Sequence, residues 1–321
     1  MNGTMLVKVA RRIVETDDIV RLELRSADGG LLPPFSPGSH IDIKAPGGVV
    51  RPYSLCNNAR ETHRYVVGIL RATNSRGGSR ALHDEVIEGA QLTISTPRNH
   101  FPLRPDRKSL LLAGGIGITP LLSMAEALAW SQTPFELHYF ARSQSQAGFL
   151  DWIAQAPYEA NAFVHFDDES ALASPNLAAA FASLKAGDQT EVYLCGPHGF
   201  IESARAIAAS LGVAEENIHY ELFSPPETTD KTGGSFEVML ARSGNRFVVP
   251  KDKSITEVLA SHGVHIPMSC EEGVCGTCIT NVIRGEPDHR DCFFSEQEKA
   301  AGNQMMPCCS RSKSAELVLD L

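Results

Sequence analysis

Six of the eight cysteines lie between Cys270 and Cys309. A chain of 321 residues can bury its own core, so it does not need the disulfide framework of small secreted domains. Clustered thiols in such a chain point to a metal or redox centre. Their spacing is Cys270-x4-Cys275-x2-Cys278, with another thiol after 29 intervening residues at Cys308 and one beside it at Cys309. That is the spacing of a plant-type [2Fe–2S] site. A loop that wraps a cluster must turn sharply and aim its amides at sulfide, which Gly273, Gly276, Ser269 and Thr277 permit. Zinc ribbons more often pair two Cys-x2-Cys knuckles, and only one such knuckle occurs here. Adjacent Cys308 and Cys309 cannot easily both face one cluster, and spacing alone does not choose between them. Cys292 reads as a small buried hydrophobe.

The rest of the composition is that of ordinary globular protein. Hydrophobic residues make up 43% and charged residues 21%, which excludes extended disorder and coiled coil. A net charge of -9 argues against a nucleic-acid-binding surface. The first residues lack the apolar core of a signal peptide, and the longest apolar stretch, around Leu110–Leu122, is interrupted by Gly114, Gly115, Gly117 and Pro120. A cytoplasmic chain with reduced thiols and no membrane span is expected.

β-rich runs at Leu6–Val14, Ile19–Arg25, His40–Ala45, Val49–Cys56, Tyr65–Arg71 and Leu92–Thr96 predict an N-terminal antiparallel β-barrel over 1–104, with one helical segment at Ser79–Val86. From 105 to 223 strands and helices alternate, which predicts a Rossmann-like parallel α/β sheet with helices on both faces. Its helices are expected at Pro120–Trp130, Phe149–Gln155, Leu177–Leu184 and Phe200–Leu211. Residues 224–234 have a linker's composition, and 235–321 form a third compact unit.

Two loops of the parallel sheet suggest a ligand. Ala113-Gly114-Gly115-Ile116-Gly117-Ile118-Thr119-Pro120 runs from a buried strand through a glycine turn into a helix, with Thr119 as candidate N-cap and Pro120 as the first helical residue. Such a turn offers bare amides and a helix dipole to a diphosphate, although it is not the G-x-G-x-x-G fingerprint. Cys195-Gly196-Pro197 lies at the carboxyl end of a later strand, where ligands of such sheets bind. In the barrel, Arg51-Pro52-Tyr53-Ser54-Leu55 supplies a cation, an aromatic ring and a hydroxyl, with alternation placing Arg51 and Tyr53 on one face and Ser54 on the other. Arg76-Gly77-Gly78-Ser79 precedes a helical segment and is a second anion-binding arrangement.

In this order, Arg-x-Tyr-Ser-Leu, Gly-Gly-Ser, Gly-Gly-Ile-Gly-Ile-Thr-Pro, Cys-Gly-Pro and Cys-x4-Cys-x2-Cys…Cys, the chain resembles the phthalate dioxygenase reductase family over its whole length. The resemblance implies an FMN-binding barrel, a central NAD(P)H-binding domain and a C-terminal β-grasp ferredoxin-like domain. It implies an NADH-dependent oxidoreductase that is the reductase component of a two-component system. Its partner would be a Rieske-type terminal oxygenase docked on the ferredoxin domain near Glu271 and Glu272. By the same resemblance Arg51, Tyr53 and Ser54 contact the flavin, and Gly77, Gly78 and Ser79 hold the FMN phosphate. Gly115, Gly117 and Thr119 lie by the nucleotide, Cys195 and Gly196 near the nicotinamide, and Phe223 beside the flavin. Ser54, Thr119 and Cys195 are then the catalytic candidates. The ending Cys308-Cys309-Ser310-Arg311-Ser312-Lys313-Ser314 matches the family's Cys-x-Ser-Arg-x-Lys-Ser. It selects Cys308, with Cys270, Cys275 and Cys278, as cluster ligand. Ala141-Arg142-Ser143-Gln144 stands where many NADH-using relatives carry a ribose-binding Asp, and Arg142 and Ser143 could accept a 2′-phosphate, which keeps NADPH open; NADH is still the favoured donor. His83, His100, His198 and His289 read as surface or packing residues. Two rival readings are a non-catalytic iron–sulfur sensor and a general flavin, ferric or haem reductase.

Overall fold

The structure, a computed structural model, describes residues 3–73, 77–166, 175–184, 189–225 and 233–321. They form two compact units, Gly3–Leu222 and Phe223–Leu321. The linker expected at 224–234 falls largely outside the described residues, as does Arg76.

The first unit opens with strands β1 (Thr4–Val14), β2 (Ile19–Ser26), β3 (Ser39–Lys44), β4 (Val50–Ser54) and β5 (Tyr65–Leu70), then helix α1 (Gly78–Glu85), β6 (Gln91–Ser95) and the two-residue β7 (Arg98–Asn99). Their order is β4-β3-β6-β1-β2-β5, with β7 on β3, and a single Leu55–Val67 bridge joins the two ends into the expected antiparallel barrel. Period-two alternation sends Val20, Leu22 and Leu24 of β2 and Tyr65, Val67 and Ile69 of β5 into a core that they share with Ile41 and Ile43.

Next come β8 (Ser109–Gly114), α2 (Ile118–Ser131), β9 (Phe135–Ala141), α3 (Leu150–Ala154), β10 (Ala162–Phe166), α4 (Pro175–Ala179), β11 (Glu191–Cys195), α5 (His198–Ser210) and β12 (Ile218–Glu221). All five strands pair in parallel in the order β10-β9-β8-β11-β12. Every residue of β8 and of β11 is buried, as befits strands covered on both faces. Chain order reverses between β8 and β11, so the sheet's switch point lies there. One hydrophobic cluster contains Ile19, Cys56 and Val66 of the barrel with Leu111, Leu121, Tyr139 and Phe149 of the sheet region, and this shared core makes the two sheets one unit.

Three local expectations are corrected. A 3-10 turn at Gly115–Gly117, opened by the positive φ of Gly115, starts the helix early, so α2 begins at Ile118 with Gly117 as N-cap. Thr119 and Pro120 therefore sit in its first turn, where a missing proline N–H costs nothing because the first amides have no intrahelical partner. Phe149 adopts a left-handed backbone as the N-cap of α3, which ends at Ala154. The helix expected at Leu177–Leu184 is α4 at Pro175–Ala179, followed by turns to Ser183.

The second unit contains β13 (Phe236–Leu240), β14 (Arg246–Val249), α6 (Ile255–Ser261), β15 (Thr280–Arg284), β16 (Pro287–Asp288), α7 (Glu296–Ala301), β17 (Gln304–Met305), β18 (Arg311–Ser312) and β19 (Glu316–Leu319). Its main sheet, β14-β13-β19-β15-β17, inserts β19 parallel to β13 and antiparallel to β15, which is the expected β-grasp. Ser254 and Glu257 form a capping box that fixes the start of α6. The cysteine loop runs from the end of α6 to β15. Among the described residues no helix is long and apolar enough to cross a membrane.

Candidate functional site

The glycine loop follows β8 and Cys195-Gly196-Pro197 follows β11, so both loops leave the carboxyl ends of the two strands flanking the switch point. They touch through their main chains. A Cβ on Gly117 would lie 2.2 Å from the carbonyl oxygen of Cys195, and one on Gly196 would lie 3.0 Å from Cα of Gly114. The glycines are thus dictated by contact between backbones. Gly115 beside them faces open space. The Thr119 hydroxyl donates to the Ile116 carbonyl (2.9 Å) and is buried. Cys195 is fully buried, and burial, with Glu221 as a lesser cause, pushes its thiol well above the usual range. It stays a neutral S–H and is no nucleophile.

In the barrel, Tyr53 pairs with Ile41 and Arg51 with Ile43 across β3 and β4, while Ser54 pairs with His40 on the opposite face. This is the alternation expected of the strand. Burial raises the Tyr53 phenol above its usual range. Gly77 caps α1 with positive φ, and a Cβ on Gly78 would lie 3.0 Å from Cγ of Arg51. The Gly77–Ser79 turn and Arg51 are therefore neighbours, and Ser79 accepts from the Ala72 amide at 3.3 Å. A cation beside a helix start suits a phosphate.

Gly68 of β5 links this strand to the nucleotide loop. A Cβ there would lie 2.7 Å from Cζ of Phe149 and 2.8 Å from Cγ2 of Thr119. Since Val67 bridges Leu55, Thr119 packs one residue away from the bridge that follows Ser54. An isolated glycine inside a strand pattern, as Gly68 is in Tyr65–Leu70, is the sequence signal of such an approach.

In the second unit Cys270, Cys275 and Cys278 are buried and Cys308 is half-buried. Their thiols form two hydrogen-bonded pairs, Cys270 with Cys275 and Cys278 with Cys308. The Cys270 S–H pulls Cys275 down to about 6, helped by the Thr277 hydroxyl at 3.2 Å. The Cys278 S–H, with that of Cys309, pulls Cys308 down to about 4. The Glu272 amide donates to Cys270 Sγ at 3.4 Å. Among the described residues no three Cys, His, Asp or Glu side chains converge tightly enough for a single metal ion. The thiols instead gather in two groups, Cys270 with Cys275 and Cys278 with Cys308 and its neighbour Cys309, and four cysteines so placed are a donor set that fits a [2Fe–2S] group. Gly273 has φ +75° and would set a Cβ 2.5 Å from Sγ of Cys309. Cys309 itself donates to the Met306 carbonyl at 3.7 Å.

Other readings have mixed outcomes. Cys292 is half-buried, not the buried hydrophobe expected. Glu271 is exposed with φ +59°, and Glu272 is half-buried. Phe223 is the first residue of the second unit and is 38% exposed. Arg142 is exposed just past β9, and the Ser143 hydroxyl pairs with that of Ser145 at 3.0 Å. His83 and His289 bond to Asp84 and Asp291 at 3.1 and 3.2 Å, as packing residues do. Sequence reasoning also missed Arg311, buried and donating to the carbonyls of Lys253 (2.8 Å), Gly234 (3.0 Å) and Pro250 (2.9 Å).

A model of the 2Fe-2S iron–sulfur cluster binding domain matches residues 238–313. The chain is 48% identical over 317 residues to a vanillate O-demethylase oxidoreductase of Pseudomonas putida, covering 98% of each. A solved phthalate dioxygenase reductase, described as a modular structure for electron transfer from pyridine nucleotides to [2Fe–2S], is 38% identical with TM-score 0.77. That match covers 100% of this chain and 98% of the other. A solved type IV self-sufficient cytochrome P450 monooxygenase is 36% identical with TM-score 0.84, covering 99% of this chain and 41% of that one.

Proposed function

The chain belongs to the phthalate dioxygenase reductase family, and from that premise we propose that it carries electrons from NADH, through FMN and a [2Fe–2S] cluster, to a Rieske-type terminal oxygenase in the cytoplasm. The observation that carries this reading is the meeting of the nucleotide loop with the barrel at Thr119 and Gly68, one residue from the bridge after Ser54. A hydride donor and its acceptor have to be brought together, and here the loop that carries Thr119 packs against the barrel strand at Gly68.

When bound, a flavin takes up a two-electron hydride and releases single electrons, which a [2Fe–2S] cluster can carry. The residues of this chain bind and orient. In the reading we favour, Arg51 and the Gly77–Ser79 turn hold the FMN phosphate, Tyr53 offers a ring surface, and the Ser54 hydroxyl hydrogen-bonds near the reactive edge of the flavin. Gly115 and Gly117 offer main chain to the diphosphate of NADH. Gly117 also seats the loop against Cys195 and Gly196, which flank the nicotinamide. Thr119, its hydroxyl spent on Ile116, contributes its methyl to the wall between nucleotide and flavin. Cys195, kept as a thiol, contributes shape and excludes water. Cys270 with Cys275 and Cys278 with Cys308 hold the cluster, and the exposed Glu271 marks the docking face. The functional parts run 1–104 for flavin, 105–223 for nucleotide and 235–321 for the cluster. Arg142 and Ser143, next to the expected ribose, leave NADPH as the weaker donor.

The deciding experiment is reconstitution. Purified holoprotein, NADH and a Rieske oxygenase encoded nearby are combined, and product formation is measured with the released flavin identified. Product with FMN released supports the reading. Electron delivery only to a cytochrome P450 or to free flavin overturns it, and the match to a self-sufficient P450 makes the former a necessary arm.

A further inference from the structure

Phe149 is one of three non-glycine residues with positive φ among those described, at +65°, a backbone state bulky side chains rarely adopt. Its side chain is nonetheless fully buried. The conformation is held from the barrel side. The Phe149 amide donates to Glu15 Oε2 at 2.7 Å, and Glu15 is paired with Arg21 at 2.8 Å. The Arg21 guanidinium lies 4.7 Å from the centre of the Trp152 ring and 5.9 Å from that of Phe149. The ring tip then enters the space that a side chain on Gly68 would need, beside Thr119 Cγ2.

A barrel strand, the nucleotide loop and the segment after β9 thus meet at one aromatic ring with no room for an added methyl. We propose that Phe149 is a positioning residue for hydride transfer: its ring sets the separation between the Thr119 loop and the barrel strand that follows Ser54 through the Leu55–Val67 bridge. This rests on the function proposed above. It adds a residue that touches neither cofactor. Geometry of this kind is costly to lose, since misplacement by about 1 Å can slow a reaction on the order of a hundredfold.

The test uses the holoprotein and three variants, Phe149→Ala, Phe149→Leu and Gly68→Ala. Flavin reduction by NADH is followed by stopped-flow absorbance, and amide hydrogen exchange is followed in β5 and at Ile116–Leu122. Phe149→Ala is expected to slow flavin reduction by about tenfold to a hundredfold, with the NADH concentration for half-saturation within about threefold of wild type. Exchange should rise in both segments. Phe149→Leu should restore rate and protection. Gly68→Ala, which pushes the same contact apart without emptying the core, should slow reduction in the same way. A Phe149→Ala rate within about threefold of wild type, no rescue by Phe149→Leu, or a native rate in Gly68→Ala overturns the proposal. If NADH fails to reduce the wild-type flavin, the functional reading falls instead, and the exchange comparison alone decides for or against the Phe149 contact.

Discussion

The two glycine-lined loops of the parallel sheet and the cysteine loop of the second unit present opposite chemistry. At Gly114–Gly117 and Cys195–Pro197 the chain offers its main chain, and side chains are removed until two backbones touch. At Cys270–Cys278 and Cys308 it offers side-chain sulfur, with the main chain bent around it. The first kind of site fails when something is added, and the second when an atom is taken away. Each region should therefore be indifferent to the change that ruins the other.

The largest contrast is at the cluster. Cys275→Ser should abolish the visible absorbance and bound iron of the [2Fe–2S] group while leaving the flavin in place and reducible by NADH, and Cys309→Ser should keep the cluster. Loss of iron in Cys309→Ser alone would reassign the fourth ligand. The complementary change is Gly117→Ala, whose methyl would sit 2.2 Å from the Cys195 carbonyl. It should cost about 1–3 kcal/mol of stability and slow flavin reduction by about a hundredfold, with cluster absorbance intact. Stopped-flow and denaturant titration check this pair.

Arg311 blurs the division, because in the second unit it too serves the main chain, donating to three carbonyls. Arg311→Met should destabilise that unit by about 2 kcal/mol in denaturant titration, as expected when hydrogen bonds to a charged group are lost. The smallest effect is one of acidity. His40, buried in the barrel near Arg98, Asp42 and His100, is pushed down to about 4 by burial and by the Arg98 cation. Folded, it remains neutral while the unfolded chain protonates near pH 6.5, so stability falls as pH drops from about 6.5 to about 4. The loss should be on the order of 1 kcal/mol at pH 5.5 relative to pH 8, and His40→Gln should flatten it. An unchanged pH profile in that variant would locate the acid sensitivity elsewhere.

The same contrast explains what could be read without coordinates. Cysteine spacing is a local property of the chain, so the 2Fe-2S domain was legible at once from Cys270, Cys275 and Cys278, as were the strands whose side chains alternate or are wholly apolar. Cys308 against Cys309 was not, because adjacent thiols differ only in where the fold turns them, one to Cys278 and the other to Met306. Backbone sites are written as gaps. Gly115 and Gly117 were noticed, but the 3-10 turn that shifts Thr119 into the helix depends on backbone angles that composition does not record. Gly68, Phe149 and Arg311 act on partners from tens to more than a hundred residues away, and no periodicity reports such distances.

The strand order β10-β9-β8-β11-β12 also has a consequence in time. During synthesis β8, β9 and β10 emerge in sequence and can pair as they come, but β11 belongs on the other side of β8. At roughly 5–20 residues per second, the interval between Gly114 and Glu191 lasts several seconds on the ribosome. Throughout it, one edge of an apolar, fully buried strand has no neighbour, and the backbone seat that Cys195 provides for Gly117 does not yet exist. The junction of β8 with β11 thus forms only after β9 and β10 are in place, and β12 then extends the sheet from β11.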